Sequence, residues 1–244
     1  MTPIDLAVLE ELRGMSLSRL THFTPARNLP HIIKDGKLRG AAELRQDVRA
    51  CFTETDLARL DGYPHMICSS LQYPNAFYLA IAQAKPNALS YPDWVCLLLN
   101  KEVAALEGTL FCPRNAAAGG VESGVAGLRG CYAPSVLGQG NRVRSRGPRH
   151  DPGSPTDVQA EVLLPAPISL SQVHAIVFPT VAAAREERGR LRRFGIPLPS
   201  IPWRISPQMF NRQAVTAAVT CSEYFEELAW TPGGVNTVDI RSNP

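Results

Sequence analysis

The strongest constraint on the fold is a short stretch, Trp94-Val95-Cys96-Leu97-Leu98-Leu99, which is apolar at every position and lies just after Pro92. Successive side chains of a strand point to opposite faces, so a strand with no polar face has to be covered on both sides. This segment is therefore expected to be the core strand of a sheet packed between layers. A chain of 244 residues, 45% of them apolar, is long enough for such a core, as one domain or two small ones.

Elements on either side can be read from periodicity and turn chemistry. Residues 3–13 read as a short amphipathic helix with Thr2 as cap and Gly14 past its end. Arg19-Leu20-Thr21-His22-Phe23 has strand composition, and the stretch from Asn28 to Gly36 reads as a helix capped by Asn28 and stopped by Gly36. Residues 43–63 read as a loop with at most one helical piece. Residues 66–71 fit a strand, Tyr73-Pro74-Asn75 breaks it, and residues 76–82 fit a helix. Strand character returns at 158–164 and 175–178, and alternation along the first of these puts Gln159 and Glu161 on one face. Residues 181–193 read as a charged helix and 207–230 as a helix opened by Ser206 and Pro207.

The stretch from 119 to 155 differs in composition, with 13 Gly or Pro among 37 residues and five Arg against one Glu and one Asp. A long loop is expected there. Within it Arg142, Arg144, Arg146 and Arg149 are dense enough to meet a phosphate backbone, or else form a solvated basic surface. No internal repeat is evident. The expected organisation is one α+β domain over residues 1–240, carrying this loop at about 119–155, with a tail at 241–244.

Several function classes lose their usual signatures. The six cysteines show no C-x-x-C spacing and no adjoining histidine cluster, so no metal site is expected. The chain shows no Gly-x-Ser-x-Gly elbow, no phosphate-cradling loop with lysine and no His-Glu-x-x-His helix. Gly138-Gln139-Gly140 lacks the strand-to-helix setting of a dinucleotide fingerprint. A net charge of +3 permits an anionic partner without demanding one. Without a basic flank leading into a long apolar run, a soluble cytoplasmic protein of a reducing compartment, with no membrane partner, is expected.

The polar residues that stand out on apolar elements are His22, Ser70, Asn75, Gln159 and Glu161. Each has an ordinary reading: a satisfied core histidine, a strand-end hydroxyl bonded to backbone, a turn-stabilising amide, a loop bridge, and the exposed face of an edge strand. Glu161 is the hardest to explain in that way. A carboxylate inside an apolar strand has to face water or meet a partner.

Four blocks in order along the chain resemble the DarT family of nucleic-acid ADP-ribosyltransferases, within the wider ADP-ribosyltransferase fold. They are Thr21-His22-Phe23-Thr24 with the Asn28–Gly36 stretch; Arg59-Leu60-Asp61-Gly62 leading to Ser70-Leu71-Gln72-Tyr73-Pro74-Asn75; the apolar run with Phe111-Cys112-Pro113-Arg114-Asn115-Ala116-Ala117; and Asp157-Val158-Gln159-Ala160-Glu161-Val162-Leu163-Leu164. Tyr73 stands where the family usually has phenylalanine, and the arginine run has no match in the family pattern.

The resemblance implies a split central mixed β-sheet with flanking helices. It also implies that NAD is consumed as a co-substrate, that the ADP-ribosyl group goes to a base of single-stranded DNA, and that a macrodomain antitoxin opposes the enzyme as a toxin. Glu161 would be the catalytic carboxylate. Arg59, with Arg49 as its rival, would be the functional arginine. His22, Thr24, Asn28, Ser70, Asn75 and Gln159 would line the NAD cleft. An RNA or protein target, or a non-enzymatic nucleic-acid binder, are the alternatives.

Overall fold

The computed structural model describes residues 2–46, 61–84 and 93–236. In chain order the elements are α1 (Leu6–Gly14), β1 (Arg19–Pro25), α2 (Leu29–Asp35), β2 (Lys37–Leu38), α3 (Ala41–Gln46), β3 (Met66–Leu71), α4 (Ala76–Ala84) and β4 (Trp94–Asn100). They continue with β5 (Leu110–Cys112), β6 (Glu122–Ser123), α5 (Gly124–Cys131), β7 (Ser135–Leu137), β8 (Val143–Ser145), β9 (Glu161–Pro165), β10 (Ile168–Ser169) and β11 (Val173–Phe178). The last are α6 (Val181–Arg193), β12 (Trp203–Ile205), α7 (Arg212–Cys221), β13 (Leu228–Thr231) and β14 (Gly234–Asn236).

The apolar run becomes β4, buried from Trp94 through Leu99, near the middle of a sheet ordered β14-β13-β12-β11-β4-β1-β3-β9-β5-β6. Val95, Leu97 and Leu99 join the larger core cluster with Leu20, Val162, Ile176 and Leu191. Cys96 and Leu98 pack on the opposite face with Ala175, Val177 and Met209. Both faces are covered, as a strand without a polar side requires. Among the described residues, neighbouring strands of this sheet run antiparallel except β11 and β12, so the sheet is mixed.

One seam in the sheet is short. β1 pairs with β4 along its whole length, from Arg19–Asn100 to Pro25–Trp94, but with β3 at Leu20–Leu71 and Thr21–Ser70 alone. On its other side β3 pairs with β9 from Met66–Pro165 to Ser70–Glu161. The C-terminal half of β1 and the N-terminal half of β3 each have a partner on their outer side and separate from one another. This is the split that the α+β expectation contained.

Several boundaries differ from the sequence reading. Asp5, not Thr2, caps α1, its Oδ1 accepting from Ala7 N and Val8 N at 3.0 Å each, while Pro3 lies before the helix with its carbonyl accepting from Glu107 N. Residues 119–155 are not one loop: they contain α5, whose Leu128 and Cys131 are buried, and the β7–β8 hairpin. The expected helix over 207–230 is a 3-10 turn at Pro207–Phe210, then α7, then β13. Asn211 restarts the helix by accepting from Gln213 N and Ala214 N, and Ser222, at φ +51°, ends it. The strand expected from residue 158 begins at Glu161, because a turn occupies Asp157–Ala160, closed by Ala160 N donating to Asp157 O at 2.9 Å.

Candidate active site

Glu161 opens β9, and the strand registers set it in a line across four strands, Thr21–Ser70–Glu161–Cys112. Residues directly opposite one another share a face, so these four side chains project to the same side of the sheet. Glu161 is 5% exposed. Its Oε1 accepts from Asn75 Nδ2 at 3.0 Å and Asn115 Nδ2 at 3.2 Å, and its Oε2 accepts from Ala116 N at 2.7 Å.

The two asparagines are held in this orientation by their other atoms. Asn75 Oδ1 accepts from Tyr78 N at 3.1 Å in the first turn of α4, and Asn115 Oδ1 accepts from Ala117 N at 3.1 Å at the 3-10 turn Ala116–Ala118. Each side chain caps a helical turn with its oxygen and presents its amide nitrogen to the carboxylate. An aspartate could cap equally well but would put a second carboxylate against Glu161. The residue type at 75 and 115 therefore follows from the charge it faces, beyond the needs of the turn.

Burial pushes the Glu161 carboxyl up to about 7, against the pull of the Ala116 N–H, the Asn75 amide and the Cys68 thiol; Asp61 adds a further upward push. Cys112, directly opposite on β5, is a thiol that burial holds above its usual range. The carboxyl thus sits among neutral donors and can be ionised near neutral pH without being locked in either form.

The other expected site residues fall into two sets. Ser70 Oγ accepts from Asn75 N at 3.0 Å, so Ser70 fixes the turn that delivers Asn75. His22 and Thr24 alternate with Thr21 and Phe23 on β1 and project toward the opposite face from Glu161, at the seam where β1 leaves β3. His22 Nδ1 lies 2.8 Å from Cys68 O, spanning that seam in place of a ladder bond. Asn28 does not cap α2 with its side chain; its Nδ2 donates to Thr24 Oγ1 at 2.9 Å, both residues being buried. Gln159 is buried in the turn before β9, its N–H donating to Asp157 Oδ1, so the alternation expected to pair it with Glu161 does not apply. Arg59 and Arg49 lie outside the described residues.

The arginine run also divides. Arg142, Arg144 and Arg149 are exposed. Arg146 is half-buried, donating to Ser154 O at 2.7 Å and Asp151 O at 3.0 Å, with its guanidinium 5.7 Å from the centre of the Tyr132 ring. It fastens the β7–β8 hairpin to the following turn. Tyr132 donates its hydroxyl to Gly153 O. Trp94 is core, as expected. Asn115, Ala116 N and Cys68 are site atoms that sequence reasoning did not assign; the Asn-Ala-Ala-Ala string was the available signal, since asparagine before three alanines is a cap pattern. Among the described residues no group of three His, Cys, Asp or Glu side chains is placed to hold a metal ion, and no helix is long and apolar enough to cross a membrane.

Two expectations follow from this geometry. An unfolded glutamate titrates near 4.5 and folded Glu161 at about 7, so its contribution to stability is complete below 4.5 and declines as pH rises to 7. Glu161→Gln should therefore gain on the wild type by about 3 kcal/mol between pH 4 and pH 8 in urea unfolding; a difference independent of pH would contradict the assignment. Asn75→Asp should keep the α4 cap, lose about 2 kcal/mol at pH 8, and recover most of it at pH 5, where the pair can share a proton. Equal loss at both values would mean that the cap, not the charge, was disturbed.

Comparison with known proteins identifies the family and the fold. A family model described as DarT, ssDNA thymidine ADP-ribosyltransferase, matches residues 21–211. Among solved structures, the fold is similar to that of Thermus sp. 2.9 DarT in complex with ADP-ribosylated ssDNA, at a TM-score of 0.53 and 13% identity over 80% of this chain and 96% of that one. The same protein in complex with NAD+ gives 0.51 and 14%, covering 80% and 98%. Thermosipho africanus DarTG in complex with ADP-ribose gives 0.51 and 16% over 79% of this chain, which spans about half, 51%, of that longer one. No curated protein matches the chain. Because that model covers most of the sequence, from β1 through β9 with Glu161 and on to Asn211, the chain belongs to the DarT family of single-stranded-DNA ADP-ribosyltransferases.

Proposed function

We propose that Glu161 is the carboxylate that drives cleavage of NAD and transfer of its ADP-ribosyl group to an unpaired thymidine. The observation that carries this reading is the buried Glu161 carboxyl, held by two asparagine amides and a backbone N–H and poised at about 7. Breaking the bond between nicotinamide and ribose C1′ leaves the electron pair on nicotinamide and positive charge on the sugar. An ionised Glu161, accepting a hydrogen bond from the ribose 2′-hydroxyl, stabilises that charge more than it stabilises the ground state. The new bond forms from C1′ to a nitrogen of the base, whose proton passes to water.

That nitrogen lies on the base-pairing edge, hidden in a duplex unless the base is extruded at a cost, which supports single-stranded DNA as substrate. Because His22 and Thr24 face one side of the sheet and Glu161 the other, NAD meeting both lies in the seam between β1 and β3, with Asn28 supporting Thr24. Gln159 borders the same cleft from its turn. Ser70 and Asn75 set the carboxylate, and by resemblance Arg59, or its rival Arg49, pairs with the pyrophosphate as a planar fork of donors. In the cell the reading implies a cytoplasmic toxin held in check by a macrodomain antitoxin.

Labelled NAD offered with single-stranded DNA, duplex DNA, RNA and protein tests the reading. Label should appear on thymidine-containing single strands, and Glu161→Gln should lower transfer by about 10²- to 10⁴-fold. Since the carboxylate form is required, kcat/KM for NAD should rise with pH through about 7 and level off above it. Label confined to protein or RNA, or a Glu161→Gln variant as active as wild type, sinks it.

The exposed arginines predict a second outcome. Arg142→Ala with Arg144→Ala should weaken DNA binding and reduce the slope of affinity against salt by about two. Arg146→Ala should lower the unfolding midpoint with a smaller change in that slope. The opposite pattern would place Arg146 on the DNA.

A further inference from the structure

Besides Ser70 and Tyr78, the turn from Gln72 to Pro74 sets where Asn75 meets Glu161, and that turn is fastened in part by residues outside the family match. Gln72 adopts φ +63°, a left-handed backbone costly for a residue with a side chain. Its carbonyl accepts from Arg19 Nε and Thr21 Oγ1, each at 3.0 Å, and its side-chain Oε1 accepts from Ser18 N at 3.0 Å and Ser18 Oγ at 3.1 Å. Tyr73 follows, with the Arg19 guanidinium 5.5 Å from its ring centre and the Phe225 ring at 4.8 Å.

Arg19 is itself anchored. It forms an ion pair with Glu227, which also accepts from Arg204 at 2.8 Å, and the Arg19 and Glu227 side chains are 10% and 11% exposed. Burial pushes the Glu227 carboxyl up, but the two guanidiniums more than offset this and leave it below its usual range. The segment bearing Phe225 and Glu227 is tied to the 3-10 turn Pro207–Phe210, with Glu226 N donating to Gln208 Oε1 at 2.6 Å. The family match ends at residue 211, before this segment begins.

We propose that Phe225 and Glu227 are positioning residues for Glu161, acting through Tyr73 and Arg19 on the Gln72–Asn75 turn and so on the Asn75 amide. The inference rests on the reading of Glu161 as the catalytic carboxylate. Removing the Phe225 ring lets Tyr73 and the turn relax, the Asn75 amide withdraws from Oε1, and the carboxylate loses one of its donors. Neither residue touches the reacting atoms; each acts on how readily Glu161 ionises and where it points.

The test uses the full chain with NAD and a thymidine-containing single-stranded oligonucleotide, following nicotinamide release against pH together with the thermal midpoint. Phe225→Ala and Glu227→Gln should each lower kcat at pH 7 by about tenfold with KM for NAD within about twofold, and move the midpoint of the pH profile up by about half a unit to one unit. The deficit should therefore narrow at pH 9. Phe225→Leu, which keeps an apolar contact on Tyr73, should recover most of the activity and, if Phe225→Ala does not fold, carries the test with Glu227→Gln.

A deficit that is constant across pH, or that tracks loss of folded protein, overturns the positioning role. If wild type releases nicotinamide, Glu161→Gln does not, and the variants at 225 and 227 titrate like wild type, the positioning inference alone fails. If Glu161→Gln releases nicotinamide like wild type, the reading of Glu161 fails, and this inference fails with it.

Discussion

The interaction on which the structure depends is the burial of one carboxylate against donors that have no freedom to turn away. Removing an ion from water costs several kcal/mol even after relaxation, and a charge-assisted hydrogen bond returns about 1.5–3 kcal/mol. Glu161 has two amide donors and a backbone N–H, and its carboxyl still lies at about 7, so compensation is incomplete. What remains is a carboxylate less well satisfied in the resting protein than it would be beside a cation. Under the proposed chemistry the cation is the ribose at the moment nicotinamide departs. An incompletely solvated charge then lowers the barrier because its missing partner exists only in the transition state.

The short seam between β1 and β3 complements that site. A sheet paired along every strand would present His22 and Glu161 on opposite faces with a wall of backbone between them. Because β1 leaves β3 after Thr21 while each keeps its outer neighbour, the wall opens without leaving the sheet unstable. The His22 ring, bonded to Cys68 O, then takes over where ladder bonds stop, and the same Cys68 offers its thiol to Glu161. One β3 residue therefore connects the two sides of the opening, its carbonyl to one and its side chain to the other.

What could be read from sequence follows how local each cause is. β4 and α6 were legible because an unbroken apolar run and a charged helical period carry their own explanation. Gly36 was legible as the left-handed residue ending α2, at φ +65°. α5 was hidden by its glycines: the composition of 119–155 suggests a loop, but Gly127 is needed because a Cβ there would lie 2.4 Å from Glu122 O, and Leu128 and Cys131 bury the helix against the core. The same holds in the site. Glu161, Ser70 and Asn75 could be named from their blocks, whereas Asn115 as a donor to Glu161 and the packing of Tyr73 against Phe225 are contacts between residues far apart in the chain. Periodicity holds no trace of such contacts.

The segment leading into Glu161 shows why composition misleads at the point nearest function. Residues 131–160 are rich in glycine and proline, yet several of their polar groups are bonded to one another: Thr156 N donates to Cys131 O, Thr156 Oγ1 to Ala133 O, Arg146 to Ser154 O and Asp151 O, and Ser154 Oγ to Asp151 Oδ2. Proline and glycine here supply backbone shapes that these bonds then hold, so the segment is built without needing a regular element. Its exposed Arg142, Arg144 and Arg149 are thus carried on a braced segment, and under the proposed reading less entropy would be lost on meeting a phosphate chain than if they sat on a free loop. The segment continues directly into β9 through the Asp157–Ala160 turn. Under the proposed reading, DNA meeting the hairpin arginines would be held by the same continuous stretch of backbone that leads into Glu161, which would tie the placement of the target base to that of the carboxylate.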